Sequence, residues 1–272
     1  MEQKFILITG STDGIGYQTA IELAKLGHHI IVHGRNQEKA KVAMQKIKEE
    51  TNSANVSFVY ADLGVLAQIR EMANRIYEKF DRLDVLINNA GIIRHERTIN
   101  QDGLEETFAI NYLAPFYLTN LLLDLLKKGN ASRIVNVASR VHSNQFDFND
   151  LQLEEGYTAV KAYAKSKTAL ILFTYHLAEK LQDKSITVNC LHPGVINTKL
   201  LRAASGSGGA PVNEGAKKLL FAATAPELEN VSGNYFVNNH STYSKDITYS
   251  KEIQMALWDK SKEIIKIALE VH

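Results

Sequence analysis

Phe5-Ile6-Leu7-Ile8-Thr9-Gly10-Ser11-Thr12-Asp13-Gly14-Ile15-Gly16 opens the chain, and its reading decides the fold. Four consecutive apolar residues predict a short strand buried on both faces, as in a parallel sheet. Three glycines then follow within one turn. Glycine at such places permits a tight bend, lets backbone approach a pyrophosphate, and allows a helix to pack closely on the strand. A helical pattern runs from Tyr17 to Leu26, and Gly27 stands where a helix ends in left-handed backbone. The N-terminus of that helix offers unpaired N–H groups and the positive end of its dipole to an anion.

The alternation continues outward from this unit. His29–His33, Val56–Tyr60, Leu83–Ile87, Arg133–Val137, Ile186–Leu191 and Tyr235–Val237 read as further strands. Glu38–Glu50, Leu66–Phe80, Leu104–Lys127 and Tyr157–Leu181 read as the helices between them. Alternating strands and helices predict an α/β protein with a single doubly wound Rossmann-fold domain over residues 1–272. Its sheet should be mostly parallel and seven-stranded, with helices on both faces and ligands at the carboxyl ends of the strands. A C-terminal helix is expected over about 251–268. No repeat or linker divides the chain. Arg202–Val212, which contains Ser205-Gly206-Ser207-Gly208-Gly209-Ala210-Pro211, carries too much Gly and Ser for a packed helix. It is expected to be a mobile surface loop, either a plain connector or part of a substrate lid over about 195–225.

Bulk properties exclude several classes. The formal net charge of +1 supplies no electrostatic footprint for nucleic acid. Cys190 is the only cysteine, which fits a reducing compartment and a small buried hydrophobe better than a nucleophile. Met1-Glu2-Gln3-Lys4 lacks a signal-peptide pattern, and the first strand is too short to span a bilayer. A cytoplasmic protein without an integral membrane anchor or a metal site is therefore expected.

Further motifs follow in order. Asn88-Asn89-Ala90-Gly91 succeeds the fourth strand, Asn111 lies in the long fourth helix, and Ser139 ends the fifth strand. Tyr163-Ala164-Lys165-Ser166-Lys167 opens the next helix, and Pro193-Gly194 succeeds the sixth strand. Together with the Thr-Gly-x-x-x-Gly-x-Gly turn, these resemble the short-chain dehydrogenase/reductase family over essentially the whole chain. The resemblance implies an NADP-dependent oxidoreductase interconverting a carbonyl and an alcohol on a small-molecule substrate. Gly10, Ser11, Thr12, Asp13, Gly14, Ile15 and Gly16 would cradle the dinucleotide, with Asn89, Ala90 and Gly91 beside it. Asp62 and Leu63 would meet the adenine, and a simple helix N-cap is the alternative role for Asp62. Pro193, Gly194, Val195 and Thr198 would pass the nicotinamide carboxamide, with the Val195 backbone and the Thr198 hydroxyl as its partners.

The second strand ends His33-Gly34-Arg35-Asn36, without the carboxylate that would bind a ribose 2′-OH and repel a 2′-phosphate. Arg35 can pair with such a phosphate, with Asn36 as a neutral partner, so NADP(H) is the expected cofactor. Asp13, acidic and close by, argues weakly the other way. Tyr163 and Lys167 stand four residues apart and share a helix face. A neighbouring ammonium lowers a phenol's pKa toward neutrality. By resemblance Tyr163 exchanges the proton, Ser139 holds the substrate oxygen, and Lys167 also binds the nicotinamide ribose. Asn111 would anchor a water that relays protons, on the carbonyl left free because Pro115 has no N–H.

Ser139 and Tyr163 are further apart than in many family members. The insertion Phe146-Asp147-Phe148-Asn149-Asp150-Leu151-Gln152 looks like the retinol-dehydrogenase-like branch, as do Arg133–His142, Ser232-Gly233-Asn234-Tyr235-Phe236 and Leu257-Trp258. That branch implies a lipophilic aldehyde, ketone or alcohol, although its membrane-acting members carry an N-terminal anchor and this chain begins at the first strand. Trp258 is expected to fill a helix–sheet interface rather than cover the site. The two helices 104–127 and 157–181 form the dimer face in many relatives, which admits a homodimer or homotetramer unless the C-terminal helix covers it. A non-catalytic NADP(H)-binding scaffold would show the loss of a catalytic residue, and none is lost. A dehydratase or epimerase would have a longer C-terminal region.

Overall fold

The apolar runs become β1 (Phe5–Ile8), β2 (His29–Gly34), β3 (Val56–Tyr60), β4 (Val85–Asn88), β5 (Ser132–Val137), β6 (Ile186–His192), β7 (Tyr235–Val237) and β8 (His240–Ser241). The helices are α1 (Gly14–Lys25), α2 (Gln37–Thr51), α3 (Leu66–Lys79), α4 (Glu106–Phe108), α5 (Ala114–Lys127), α6 (Ala159–Lys180), α7 (Lys199–Ser205), α8 (Val212–Thr224) and α9 (Lys251–Glu270). These elements come from a computed structural model that describes residues 2–182 and 185–270. The strands form one sheet in the order β3-β2-β1-β4-β5-β6-β7-β8. β1 lies inside the sheet, and the chain winds outward first to β3 and then, from β4, to the other edge. The order reverses between β1 and β4, so a crevice opens at their carboxyl ends, where Thr9–Gly16 and Asn89–Gly91 emerge.

Side chains alternate along each strand and feed two cores. Leu7, Ile31, Leu86, Ile134 and Val188 face the layer of α3, α5, α6 and α9, while Ile6, Ile8, Ile30, Val32, Val85 and Val135 face α1 and α8. All are essentially inaccessible, and each such side chain contributes about 1.5–3 kcal/mol of transfer free energy. The end of α1 shows how local chemistry sets the geometry. Gly27 takes φ +87°, its N–H bonds the Ala24 carbonyl at 3.0 Å, and the His28 N–H bonds the Leu23 carbonyl at 3.3 Å. Two otherwise orphaned carbonyls are thereby satisfied, and the chain is turned into β2.

The structure departs from the sequence reading in three places. The sheet has eight strands, not seven, because β8 pairs antiparallel with β7 after a turn in which Asn238 and Asn239 have φ +52° and +67°. Two left-handed residues suit a tight hairpin, but a two-residue strand carries no periodicity to detect. The expected long helix 104–127 is interrupted by a π-helical turn at Ala109–Leu113, in which the Ala114 N–H reaches back to the Ala109 carbonyl. Pro115 lacks the N–H needed to continue the ladder, so the helix widens just before it. Glu106–Lys127 is long and apolar enough to cross a membrane by length and composition, yet it is mostly buried within the protein.

Third, the expected loop over 202–212 begins as helix. Lys199–Ser205 form α7, capped by Thr198, whose hydroxyl oxygen accepts from the Leu201 N–H at 3.3 Å. Leu200, Leu201, Arg202, Ala203 and Ala204 are good helix formers, and the chain leaves the helix only at Gly206, with φ +84°. Ala210 then pairs with the segment after β6, donating to the Val195 carbonyl at 2.8 Å and accepting from the Asn197 N–H at 2.9 Å. At the C-terminus α9 lies against α6 and α3. Trp258 packs among Phe116, Phe173 and His176, between helices rather than at the expected helix–sheet interface, and α9 covers part of the face formed by α5 and α6.

Candidate active site

The Gly-rich turn is held from below by buried polar side chains. The Thr9 hydroxyl oxygen accepts from the N–H groups of Asn89 and Ala90 at 2.9 and 3.0 Å, and the Asn89 amide donates to the Thr9 and Gly10 carbonyls at 2.8 and 3.2 Å. The β1 and β4 turns are thus sewn together, which places Asn89, Ala90 and Gly91 beside the cradle. A Cβ on Gly10, where φ is +64°, would lie 3.0 Å from the Ala90 Cα, and one on Gly16 would lie 2.5 Å from the Asn89 amide nitrogen. Only glycine fits either position. Ser11 is fully buried. Its hydroxyl donates to the Ile8 carbonyl at 2.8 Å and accepts from the His33 N–H at 2.9 Å, so its side chain is scaffold. Thr12 and Asp13 line a groove of about 560 Å³ between α1 and α2, with Tyr17, Lys39, Lys46 and Lys199.

Arg35, exposed at the end of β2, makes no hydrogen bond or ion pair with any described residue. Asn36 caps α2, its carbonyl oxygen accepting from the Glu38 and Lys39 N–H groups at 2.9 and 3.2 Å. Asp13 caps α1 through the Gly14 N–H at 2.7 Å and also pairs with Lys199 at 2.5 Å. Lys199 therefore holds the Asp13 carboxyl below its ordinary pKa and neutralises the charge that weighed against a phosphate. Asp62 does not cap α3. Its carboxylate accepts from the Gly64 N–H at 2.9 Å, while Asp102, distant in sequence, accepts from the Leu66 N–H at 2.7 Å. Leu63 is 7% exposed and belongs mainly to the core.

Ser139, Tyr163, Lys167 and Asn111 converge at the carboxyl ends of β4 and β5. The Ser139 hydroxyl oxygen accepts from the Val141 N–H at 3.0 Å, and the Ser139 side chain neighbours that of Tyr163. Lys167 is buried, and its ammonium donates to the Val137 carbonyl at 2.8 Å and lies 5.5 Å from the centroid of the Tyr163 ring. With no carboxylate beside it, burial pushes its pKa down to about 8. Burial also raises the Tyr163 pKa, with the neighbouring Ser139 side chain opposing. The expected lowering by Lys167 is thus not a property of the protein alone, because desolvation of the phenolate outweighs a cation held at that distance.

Asn111 occupies the π-helical turn. Its amide accepts from the Ile92 N–H at 2.8 Å and donates to the Ile92 carbonyl at 2.9 Å and to the Ser166 hydroxyl at 3.1 Å. It therefore clamps the strand end after Gly91 to α6, and a Cβ on Gly91 would lie 3.4 Å from its oxygen and 3.6 Å from the Lys167 ammonium. The missing Pro115 N–H, which marked this place in sequence, accompanies the widened turn that carries Asn111 inward.

Pro193-Gly194-Val195 closes the other side, with Gly194 at φ +103°. The Val195 carbonyl is already taken by the Ala210 N–H, which leaves its own N–H for a carboxamide. The Thr198 methyl would touch a Cβ on Gly14 at 3.5 Å, so this segment lies over the Gly-rich turn. Three ties were not visible in sequence. His33 accepts from the Gly10 N–H at 3.0 Å and hydrogen-bonds the Ala61 carbonyl at 3.2 Å. His95 reaches the Ala203 carbonyl of α7 at 2.6 Å, and Lys199 holds Asp13. Each joins residues far apart in the chain, for which no local pattern exists. The insertion is anchored too: Lys165 donates to the Asp150 carbonyl, and Arg97 donates to the Gln152 carbonyl at 3.1 Å.

A glycine cradle at a topological switch point, beside a neighbouring Ser and Tyr with a buried Lys, has the form of a nicotinamide-dependent oxidoreductase. The family model for short chain dehydrogenase matches residues 4–207. Human polyprenol dehydrogenase is 43% identical over 279 residues, covering 96% of this chain and 84% of that protein. Mouse retinol dehydrogenase 13 is 38% identical over 283 residues, covering 98% and 85%. An uncharacterized protein from Mycobacterium paratuberculosis superimposes with a TM-score of 0.80 at 26% identity, covering 97% of this chain and 94% of that one. A short chain dehydrogenase from Shigella flexneri, complexed with NADP, superimposes with a TM-score of 0.70 at 28% identity, covering 87% and 97%. The chain belongs to the short chain dehydrogenase family, in its retinol-dehydrogenase-like branch, and is an oxidoreductase of carbonyls and alcohols.

Proposed function

We propose that the protein interconverts a lipophilic ketone or aldehyde and its alcohol with NADP(H), Tyr163 serving as the proton donor. The observation that carries this is the juxtaposition of the Ser139 and Tyr163 side chains at the mouth of the glycine cradle, with Lys167 one helical turn further on and its ammonium 5.5 Å from the Tyr163 ring centroid. Two O–H groups meeting at one point can both serve a single substrate oxygen, one by stabilising developing negative charge and one by giving its proton. When bound, the dinucleotide supplies or accepts the hydride. Gly10–Gly16 hold its phosphates, Lys167 and Tyr163 its ribose, and the Val195 N–H and Thr198 hydroxyl its carboxamide. Tyr163, its pKa raised by burial, keeps its proton at neutral pH as carbonyl reduction requires. Lys167, with a pKa of about 8, is mostly charged there and can return a proton to Tyr163 after turnover.

Arg35 supports NADP(H) over NAD(H), because an exposed guanidinium without a partner matches a 2′-phosphate, and the Shigella relative was solved with NADP. Val141, Val160 and Val195 are exposed within three residues of Ser139, Tyr163 and Gly194, so apolar surface borders the reacting groups. That surface, and relatives named for polyprenol and retinol, support a lipophilic substrate. Cys190 is the only cysteine, so no intramolecular disulfide can form, which supports work in a reducing compartment, namely the cytoplasm.

The test is NADPH oxidation against a panel of lipophilic aldehydes and ketones. Tyr163→Phe should lower turnover by about a thousandfold or more while NADPH affinity changes less than about threefold. Turnover undiminished in that variant would remove Tyr163 from the role. Arg35→Ala should weaken NADPH by about tenfold or more and leave NADH nearly unaffected, and equal losses for both would contradict the 2′-phosphate assignment.

A further inference from the structure

Ser139 sits at the end of β5, where regular pairing stops, and a hydroxyl there needs a fixed backbone to act on a substrate oxygen. The bolt is His142. Its Nδ1 is 2.8 Å from the Ser139 carbonyl oxygen, and its Nε2 accepts the main-chain N–H of Lys245 at 3.0 Å. Since Nε2 receives an N–H it carries no proton, so the proton is on Nδ1 and is donated to Ser139. Both ring nitrogens of one neutral imidazole are thereby committed, and its ring meets Tyr235 edge-on at 5.5 Å. Burial favours the neutral form.

Lys245 belongs to the segment 242–249 that follows β8 and is itself fastened to α6. The Tyr175 hydroxyl meets the Ser244 hydroxyl at 2.8 Å, and the Ser244 hydroxyl meets that of Thr248 at 2.6 Å. The Ser244 N–H donates to the Tyr249 hydroxyl at 3.1 Å, and the Ile247 N–H donates to the Asn144 side-chain oxygen at 3.1 Å. α6 also carries Tyr163 and Lys167. A closed circuit therefore runs from Ser139 through His142, Lys245, Ser244 and Tyr175 into the helix that presents Tyr163. α6 is also tied to the flanks of this segment, the Ser143 N–H donating to the Thr168 hydroxyl at 2.8 Å and the Lys167 ammonium to the Val137 carbonyl at 2.8 Å, and the His142 circuit adds the hold on the Ser139 carbonyl itself.

We propose that His142 is a positioning residue that fixes Ser139 relative to Tyr163 by bolting its backbone to the 242–249 segment. The proposal rests on the reading of Ser139 and Tyr163 given above, so its test includes both. Three variants are compared with the full chain: Ser139→Ala, His142→Phe and His142→Asn. Phenylalanine keeps the ring contact with Tyr235 and loses both hydrogen bonds, whereas the asparagine amide can still donate to the Ser139 carbonyl. His142→Phe should lower kcat for a lipophilic aldehyde by about tenfold to a hundredfold, with KM for NADPH unchanged, and His142→Asn, which keeps the Ser139 bond but not the Lys245 one, should recover only part of that loss.

Hydrogen exchange read by mass spectrometry supplies a second readout that needs no turnover. His142→Phe should speed exchange in both 139–142 and 243–248 while 10–16 stays as it was. If Ser139→Ala lowers turnover while His142→Phe leaves kcat and both exchange patterns unchanged, the bolt is refuted and the catalytic reading stands. If Ser139→Ala turns over normally, the catalytic reading falls, and with it the positioning role, whatever the exchange shows. Equal losses in His142→Phe and His142→Asn, with exchange raised across the whole chain, would show a general packing defect and overturn the proposal.

Discussion

The crevice has two walls built on different principles. On the cofactor side, Thr9, Ser11, His33 and Asn89 are buried or half-buried and donate or accept hydrogen bonds that preset the backbone of the Gly-rich turn. On the substrate side, α7 is joined to its surroundings by exposed groups, Lys199 to Asp13 and His95 to the Ala203 carbonyl. Buried hydrogen bonds with no water to replace them are costly to break, while exposed ion pairs contribute little. One wall is therefore built to keep its shape before any ligand arrives, and the other can open at small cost. A cofactor common to a family needs the first, and a variable substrate needs the second.

The strongest way to break the contrast is His33→Leu. It leaves the Gly10 N–H and the Ala61 carbonyl without their partner inside the fold, and should cost about 2–4 kcal/mol of stability and at least tenfold in NADPH affinity. Denaturant melts and fluorescence titration measure both, and unchanged values would show that the wall is not preset by this ring. Burial lowers the His33 pKa to about 4, so the unfolded chain takes the proton first as pH falls below 6.5. Stability should be full above pH 6.5 and fall progressively toward pH 4. The His33→Leu profile should be flatter, with the remaining slope coming from the other histidines that burial lowers: His192, to about 4, and His28, His29, His142 and His176.

Lys167→Met sharpens the contrast from the other direction. The native side chain keeps a cation in a buried place where burial alone accounts for its lowered pKa. Below about pH 8 the folded protein carries this penalty in full, and it shrinks as pH rises from 8 toward 10.5, because there the folded state binds fewer protons than the unfolded one. The variant should be inactive yet about 1–3 kcal/mol more stable at pH 7, as a melting curve would show. A destabilised variant would mean that the bond to the Val137 carbonyl outweighs the desolvation. The smallest effect is expected on the open wall. Lys199→Ala should change stability by less than about 1 kcal/mol, with NADPH affinity falling only a few-fold as Asp13 loses the cation that neutralises it. A large loss of stability there would erase the distinction between the walls.

The same division explains what could be read from the chain. The Gly-rich turn, the Tyr163–Lys167 pair and the parallel alternation were legible because each is written in neighbouring residues. Pro115 announced a disturbance near Asn111, although a widened turn could not be told from a kink. The alternative role of Asp62 as the cap of α3 does not hold, because the side chain that accepts from the Leu66 N–H, Asp102, arrives through the tertiary fold. α7 was hidden by the glycines that end it. His33 and His142 looked like ordinary polar residues in or beside strands, since their importance lies in backbone groups brought from Ala61 and Lys245.

Trp258 gives the molecule a built-in optical label. It is the only tryptophan in the chain, it sits on α9, and its ring lies 4.9 Å from Phe116 and 5.0 Å from His176, with the Lys180 ammonium 5.2 Å from its centroid. Emission excited at the red edge of the ultraviolet band therefore reports one event, the seating of the last helix against α5 and α6. A red shift that precedes loss of the far-ultraviolet helical signal on heating would reveal that α9 detaches while the nucleotide-binding sheet is still whole.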